Sequence, residues 1–292
     1  MFDKPLFLMT DPDHFEVFYQ INPWMSPDAW RADPDAARAA AKAASADLTR
    51  RLRQLGAEVE MIPPVRGLPD LVFPANAAIV LDRRVLLARF RHPERQGEEA
   101  VFAAAFQSLK DRGLIDEIVI LPQGVFQEGA GDAIWDADRD FFWVGYGPRS
   151  SPRSAEVIAE VFAQKVVALE LASERFYHLD TCFCPLAGGN VLFYPPAFTP
   201  AALAEIHRRV PEAQRIEASD EEAAAFCVNA VNVGTQIVMA KAPASLKAKL
   251  ASRGYHLCEV DLSPFMLSGG AAYCMTLRLD RSSTERAVQA AE

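Results

Sequence analysis

The stretch AAIVLDRRVLLARFRHPERQGEEAVFAAAFQSLKDRGLIDEIVIL, residues 77–121, contains a unit that recurs along the whole chain. Two apolar runs of strand length, 77–81 and 85–88, flank the polar Asp82-Arg83-Arg84, which is a hairpin pattern. A helix over roughly 97–112 follows, Gly113 stops it, and 117–121 reads as a third strand. The same grammar holds on the N-terminal side. Residues 5–9 read as a strand and 34–55 as a long helix, with Asp33 as cap, Pro34 in its first turn, and Ala44, Leu48, Leu52 and Leu55 on one face. Gly56 ends that helix, and 58–62 is the next strand. On the C-terminal side AIW and FFWVG flank the turn 136–140, and a helix follows Ser151-Pro152. Strands are expected at 166–171, 191–195 and near 213–217, with a helix after Thr199-Pro200. Ser219 to Glu222 has the form of a capping box. A strand at 236–240, a helix over 243–253 and strands at 255–260 and 275–279 complete the pattern. About five units of roughly 50 residues, each strand–strand–helix–strand, imply an α/β radial or stacked array. No linker divides them, so residues 1–280 read as a single domain and 281–292 as a frayed tail.

Composition limits the function. Half of the 292 residues are hydrophobic, enough for a sizeable core, yet no apolar run approaches the roughly 18–20 residues of a membrane span. The opening MFDKPLFLMTDPDHF reads as a first strand rather than a signal peptide. A net charge of −9 argues against nucleic acid as partner; it suits cationic small molecules, and it is equally ordinary for a soluble enzyme. Five cysteines, an odd number without a secretion signal, argue for thiols in a reducing, cytoplasmic setting rather than a disulfide framework. Oligomeric state is left open, and a homo-oligomer is compatible with everything above.

Four Gly-rich or turn-like stretches interrupt the pattern, and loops on a rigid scaffold are where catalytic groups concentrate. In SGGAAYCMTLRL (268–279) small residues clear the approach to Cys274, and a strand is expected directly after it; a buried core thiol is the alternative. In RFYHLDTCFCPLAGGNVLFYP (175–195) His178 stands beside Asp180, which could orient its ring, and a histidine near a thiol can act as acid and base. Cys182 and Cys184 are spaced for a strand, not for a zinc knuckle or redox pair. In FQEGAGDAIW (126–135) Glu128 and Asp132 flank a tight turn; if buried, such a pair needs a cation, and a guanidinium suits it. In GLPDLVFPANAAIVL (67–81) Asp70 and Asn76 bracket Phe73 on a loop entering a strand.

Taken together, HLDTCF, EGAGD, GGAAYC and PDLVF resemble the motifs of the guanidino-modifying, or pentein, superfamily. That group includes arginine deiminases, amidinotransferases, dimethylarginine dimethylaminohydrolases and arginine dihydrolases. The likeness is closer to the arginine dihydrolase domain of cyanobacterial type: DPDHFEVFYQINPWM, LPDLVFPANAAIVL, RFRHPERQGEE, EGAGDA, GYGPRS and ERFYHLDTCFCPLAGG look like that family's segments, in order. The resemblance implies a five-bladed α/β propeller with a central site and no metal or organic cofactor. It implies Cys274 as nucleophile, His178 as acid and base, and Glu128 as its acidic partner. Asp132 would be a guanidinium carboxylate, and PDLVF places the same kind of role on Asp70, with Phe73 beside it. Asn22, Asn76, Arg95 and Arg149 would complete the pocket, the arginines gripping a substrate carboxylate bidentately. Thr10, Asp11, Gly147, Pro148 and Tyr273 depart from the pattern and bear on substrate detail.

The resemblance also frames the product. Most of the superfamily carries an aspartate where Asn76 stands, and a neutral amide can hold a neutral ureido group for a second attack. Arginine dihydrolysis to ornithine, ammonia and carbon dioxide is therefore expected. Deiminase, dimethylarginine hydrolase, amidinotransferase and non-catalytic arginine sensor are the alternatives.

Overall fold

The helix Pro34–Gln54 shows how sequence becomes architecture here. The Asp33 side chain accepts from Ala36 N, Pro34 occupies the first turn, and Ala41, Ala44, Leu48 and Leu52 recur at helical spacing on the buried face. Burying a leucine such as Leu48 or Leu52 completely contributes about 1.5–3 kcal/mol. That stripe covers the first sheet, and four further helices, Glu98–Asp111, Ser154–Phe162, Pro200–Arg209 and Ala244–Ala251, occupy the corresponding place in their units. The computed structural model describes residue 2 and residues 4–284, and the following concerns those residues.

Five three-stranded sheets are arranged as the units predict. The second contains β3 (Ala78–Leu81), β4 (Arg84–Leu87) and β5 (Glu117–Ile120); β3 and β4 form an antiparallel hairpin, and β5 returns parallel to β4 after the helix. The two hairpin residues, Asp82 and Arg83, both have positive φ, the geometry that matches strand twist in a two-residue turn. The third sheet holds β6 (Ala133–Asp136), β7 (Phe141–Tyr146) and β8 (Val166–Glu170). The fourth holds β9 (Phe183–Pro185), β10 (Val191–Phe193) and β11 (Arg215–Glu217), and the fifth β12 (Val231–Val233), β13 (Gln236–Ala240) and β14 (His256–Val260). All three repeat the antiparallel-then-parallel pairing. The first sheet is built from both ends of the chain: β1 (Leu6–Thr10) pairs parallel with β2 (Glu58–Ile62) and antiparallel with β15 (Leu277–Arg278). The molecule is a five-bladed α/β propeller. Packed apolar clusters lie between neighbouring blades and under the helices, for example Leu8, Val80, Phe102 and Phe106 in one of them.

Three expectations change. The strand after Cys274 is shorter and later than 275–279, covering only Leu277–Arg278, so Cys274 sits on a turn closed by Met275 N to Ala271 O. The sequence pattern does not mark the strand β12, because its three residues follow a largely apolar stretch, 225–230, with no Gly or Pro to set them apart. The tail assigned to 281–292 starts too early: Ser282 and Ser283 hydroxyls donate to the Asp82 carboxylate at 2.8 and 2.6 Å, docking 281–284 on the β3–β4 turn. Residues 285–292 lie outside the described residues.

Candidate active site

The first strand of each hairpin, and β15 in the closing blade, is entered through a single tight turn. Each of these five turns carries a polar or thiol side chain. Asn76 N donates to Phe73 O just before β3, and Asp132 N to Gly129 O just before β6. Thr181 N donates to His178 O before β9, Asn229 N to Phe226 O before β12, and Thr276 N to Tyr273 O before β15. Radial repetition of the blades brings the five turns to one end of the molecule's centre. The sequence-distant Asn76, Glu128, His178, Asp180, Asn229 and Cys274 therefore meet, all buried.

Cys274 Sγ lies 3.3 Å from Asp180 Oδ2 and accepts from Asn229 Nδ2 at 3.1 Å. Asn229 also fixes the turn, its Oδ1 accepting from Tyr273 N and Cys274 N at 3.0 and 3.2 Å. Burial, and then the adjacent Asp180 carboxylate, push the Cys274 thiol well up. Burial likewise pushes Asp180 up to about 7, and its other oxygen, Oδ1, is buried without a hydrogen-bond partner. A carboxylate and a thiol in contact, one with an unfilled acceptor, form a place for a cation: a positive group beside them would favour both ionised forms.

His178 Nε2 is 2.7 Å from Glu128 Oε2, and its Nδ1 is 3.4 Å from Asn76 Nδ2. Glu128 is held on every side. Its Oε2 also accepts from Arg149 Nη1 at 2.9 Å, and its Oε1 accepts from Arg91 N at 3.1 Å. Burial alone would raise its pKa, but the Arg149 guanidinium and His178 outweigh that and hold it below the usual carboxylate range. Arg149 stacks over Tyr177 at 4.6 Å and donates to Ile21 O at 3.1 Å.

The expected residues divide into those that converge and those that support them. Asp180 does not orient His178; that is done by Glu128, because the 3₁₀ turn Leu179–Thr181 carries the aspartate to the sulfur instead. Asp132 differs from its expected role: its Oδ2 accepts from Ser150 Oγ at 2.6 Å and its Oδ1 from Leu179 N at 2.9 Å, so both oxygens anchor the loop carrying His178. Burial pushes Asp132 up to about 6. Arg95 cannot grip a carboxylate bidentately here, since four of its five N–H groups go to Glu98, Asn76 and the Asp70 carbonyl. The Asp70 carboxylate accepts from Tyr19 Oη at 2.7 Å and Ser268 Oγ at 2.9 Å. Asn22 accepts from Trp24 N and Met25 N and donates to Ser268 O, tying the 19–25 loop to the cysteine loop. Phe73 packs into the Phe15–Phe265 cluster against Gly270, where any Cβ would collide with its ring.

Sequence reasoning missed two residues at the sulfur. Asp180, which the sequence sets beside His178, contacts Cys274 instead, and Asn229 lies outside the four Gly-rich or turn-like stretches. The signal was available in the repeat: a polar residue one to six positions before each inner strand, which in FCVNAVNV is Asn229. Among the described residues, no group of three or more His, Cys, Asp or Glu side chains is placed to hold a metal, and all five cysteines are free.

The model of the family described as N,N dimethylarginine dimethylhydrolase, eukaryotic, matches residues 11–281. This chain belongs to the dimethylarginine dimethylhydrolase family, within the pentein superfamily of guanidino-modifying proteins. It is 43% identical over 282 residues to the bifunctional arginine dihydrolase/ornithine cyclodeaminase ArgZ of Synechocystis, covering 96% of this chain but 38% of that protein. A dimethylarginine dimethylaminohydrolase of Mycobacterium tuberculosis is 36% identical, covering 94% of this chain and 85% of that one. The chain thus spans about two-fifths of the length of its bifunctional relatives. A crystal structure of the N-terminal domain of cyanobacterial ArgZ bound to product superposes with a TM-score of 0.90 at 42% identity, covering 96% of this chain and 99% of that one. A variant of the same domain has been solved covalently bound to a reaction intermediate, also with a TM-score of 0.90.

Proposed function

We propose that this chain hydrolyses the guanidino group of arginine twice, through covalent intermediates on Cys274, giving ornithine, ammonia and carbon dioxide. The observation that carries the reading is Asn76: a neutral amide, with no charge to favour a guanidinium over a ureido group, lies with its NH2 3.4 Å from His178 Nδ1. The likeness to ArgZ over nearly the whole chain supports it.

In the proposed cycle the guanidinium settles against the Asp180 carboxylate, filling its empty acceptor and lowering the thiol's pKa by its own charge. The Cys274 thiolate attacks the guanidinium carbon, the C–N bond to a terminal nitrogen breaks, and His178 delivers a proton to the departing ammonia. His178, with Glu128 holding its ring, then takes a proton from water, whose oxygen displaces sulfur and leaves a ureido group. For the second round the ureido oxygen accepts from Asn76 Nδ2 while Cys274 attacks again. A second ammonia leaves, and hydrolysis of the resulting thiocarbamate releases carbon dioxide and ornithine. Arg149, with fewer donors committed than Arg95, is the candidate for the substrate carboxylate, and Asn22, Asp70 and Phe73 shape the loops around it. The substrate is a small cationic amino acid, and the five thiols fit a reducing cytoplasm.

Incubation with arginine and quantification of citrulline, ornithine and ammonia tests this. Ornithine with about two ammonia per arginine is expected. Citrulline that accumulates without ornithine overturns the double hydrolysis, and dimethylamine release from methylated arginine alone points to the other branch of the family.

A further inference from the structure

Glu98 has no part in the cycle above, yet it is a carboxylate buried completely at the start of the helix Glu98–Asp111. Both of its oxygens accept from Arg95, Oε1 from Nε at 2.9 Å and Oε2 from Nη2 at 2.7 Å, a bidentate fork. The same guanidinium reaches Asn76: Nη1 donates to Asn76 Oδ1 at 2.8 Å, and the second Nη2 donor goes to the Asp70 carbonyl at 3.2 Å. The Phe90 ring lies 4.5 Å from the guanidinium carbon and closes one face.

The direction of the Asn76 amide follows from chemistry. Arginine has only donors, so the atom that faces it must be the amide oxygen. The amide nitrogen is then turned the other way, toward Glu128 O and His178 Nδ1, both at 3.4 Å. Were the amide flipped, two donors would oppose each other at Arg95 and the site would be offered an acceptor. An acceptor suits a cationic guanidinium, whereas a donor suits the neutral ureido oxygen of the second round.

We infer that Glu98, acting through Arg95, is a positioning residue that locks the Asn76 amide with its NH2 toward the reaction centre, and so determines whether the ureido intermediate is retained for a second hydrolysis. The inference rests on the dihydrolase reading. It assigns Arg95 to holding Asn76 rather than to gripping the substrate, and it places a specificity determinant outside the contact shell of the reacting atoms. Glu98 is three residues from Arg95 in the sequence, so the pair Arg-x-x-Glu is a single local feature that joins the short helix Pro93–Gln96 to the helix Glu98–Asp111.

The test is Glu98→Gln, measured as the ornithine-to-citrulline ratio from arginine and as turnover of added citrulline. Glutamine keeps the volume but offers Arg95 one acceptor and one opposed donor, so the guanidinium loses its fork. The ratio should fall about tenfold or more while the first round, arginine consumption, stays within a few-fold. Should Glu98→Gln fail to fold, Glu98→Asp keeps the charge with a shorter reach and should move the ratio in the same direction. An unchanged ratio in a folded variant overturns the inference, as does an equal loss of both rounds, which would be a structural effect only. Production of citrulline alone by the unsubstituted protein overturns the inference together with the dihydrolase reading, and that result is distinguishable because it needs no variant.

Discussion

A carboxylate buried against a thiol is unfavourable to ionise until a cation lies beside it, and Asp180 is in that position. Burial pushes it up to about 7 from an ordinary 3.8. Because the folded-state value lies above the unfolded one, its contribution to stability is complete below about pH 4 and is lost as pH rises through about 7. Asp180→Asn should therefore melt higher than the unsubstituted chain at pH 8, by on the order of 2–4 kcal/mol, with the difference gone at pH 4. Thermal melts at the two pH values check this, and identical melts at pH 8 would count against a strained carboxylate. The same variant should lose arginine turnover by about a hundredfold or more, since an amide cannot hold the guanidinium ionically. In the unsubstituted protein kcat/KM for arginine should rise as pH passes upward through about 7, following ionisation of Asp180 in the free enzyme. These residues were legible to different degrees. Cys274, His178 and Glu128 stood out through motif company, whereas the pairing of Asp180 with sulfur depends on how a single 3₁₀ turn points its side chains.

Short turns, rather than strands or helices, aim the chemistry. Gly131, in the turn Gly129–Gly131, has Asn76 and His178 packed against its α-carbon, and a methyl group there would collide with Asn76 Nδ2. Gly131→Ala should keep the fold, because only side-chain ends must move, yet lower kcat/KM by tenfold or more (about 1.4 kcal/mol). A folded variant with full activity would mean that the amide is not held where the geometry puts it. A contrasting element far from the centre is the capping box at Ser219, where Ser219 Oγ accepts from Glu222 N at 3.3 Å and the Glu222 carboxylate returns to Ser219 N at 2.8 Å. Ser219→Ala should cost roughly 1 kcal/mol of stability, read by urea denaturation, and leave activity unchanged. The blade helices and most strands were readable because amphipathic spacing and caps are local. The 3₁₀ turns were not, since three residues carry no periodicity and their geometry is set by tertiary contacts such as Ala75 N to Cys274 O.

At the scale of the molecule, the ring of blades closes only where β15 joins β1, with Leu277 opposite Leu8 and Leu279 N donating to Leu6 O. Leu277 and Leu279 are both fully buried, so a chain ending at Thr276 loses two core leucines and the closure at once. Its calorimetric transition should fall by more than about 10 °C or disappear, and a transition unchanged in position would show that the blades do not depend on closure. The unit count in the sequence implies five blades, and a strand is legible near 275–279; that it closes the first blade by pairing with β1 is not, because strand pairing across the whole chain length leaves no local signal. Closure also places Cys274, two residues before Thr276, against turns from three other blades, at Ala75, Asp180 and Asn229. The most direct test of the central claim is acid-quenched intact-protein mass spectrometry during arginine turnover, followed by peptide mapping. A mass increase equal to arginine less ammonia, carried by the peptide containing Cys274 and absent from Cys274→Ser, is the predicted result. Undiminished turnover by Cys274→Ser would contradict the account.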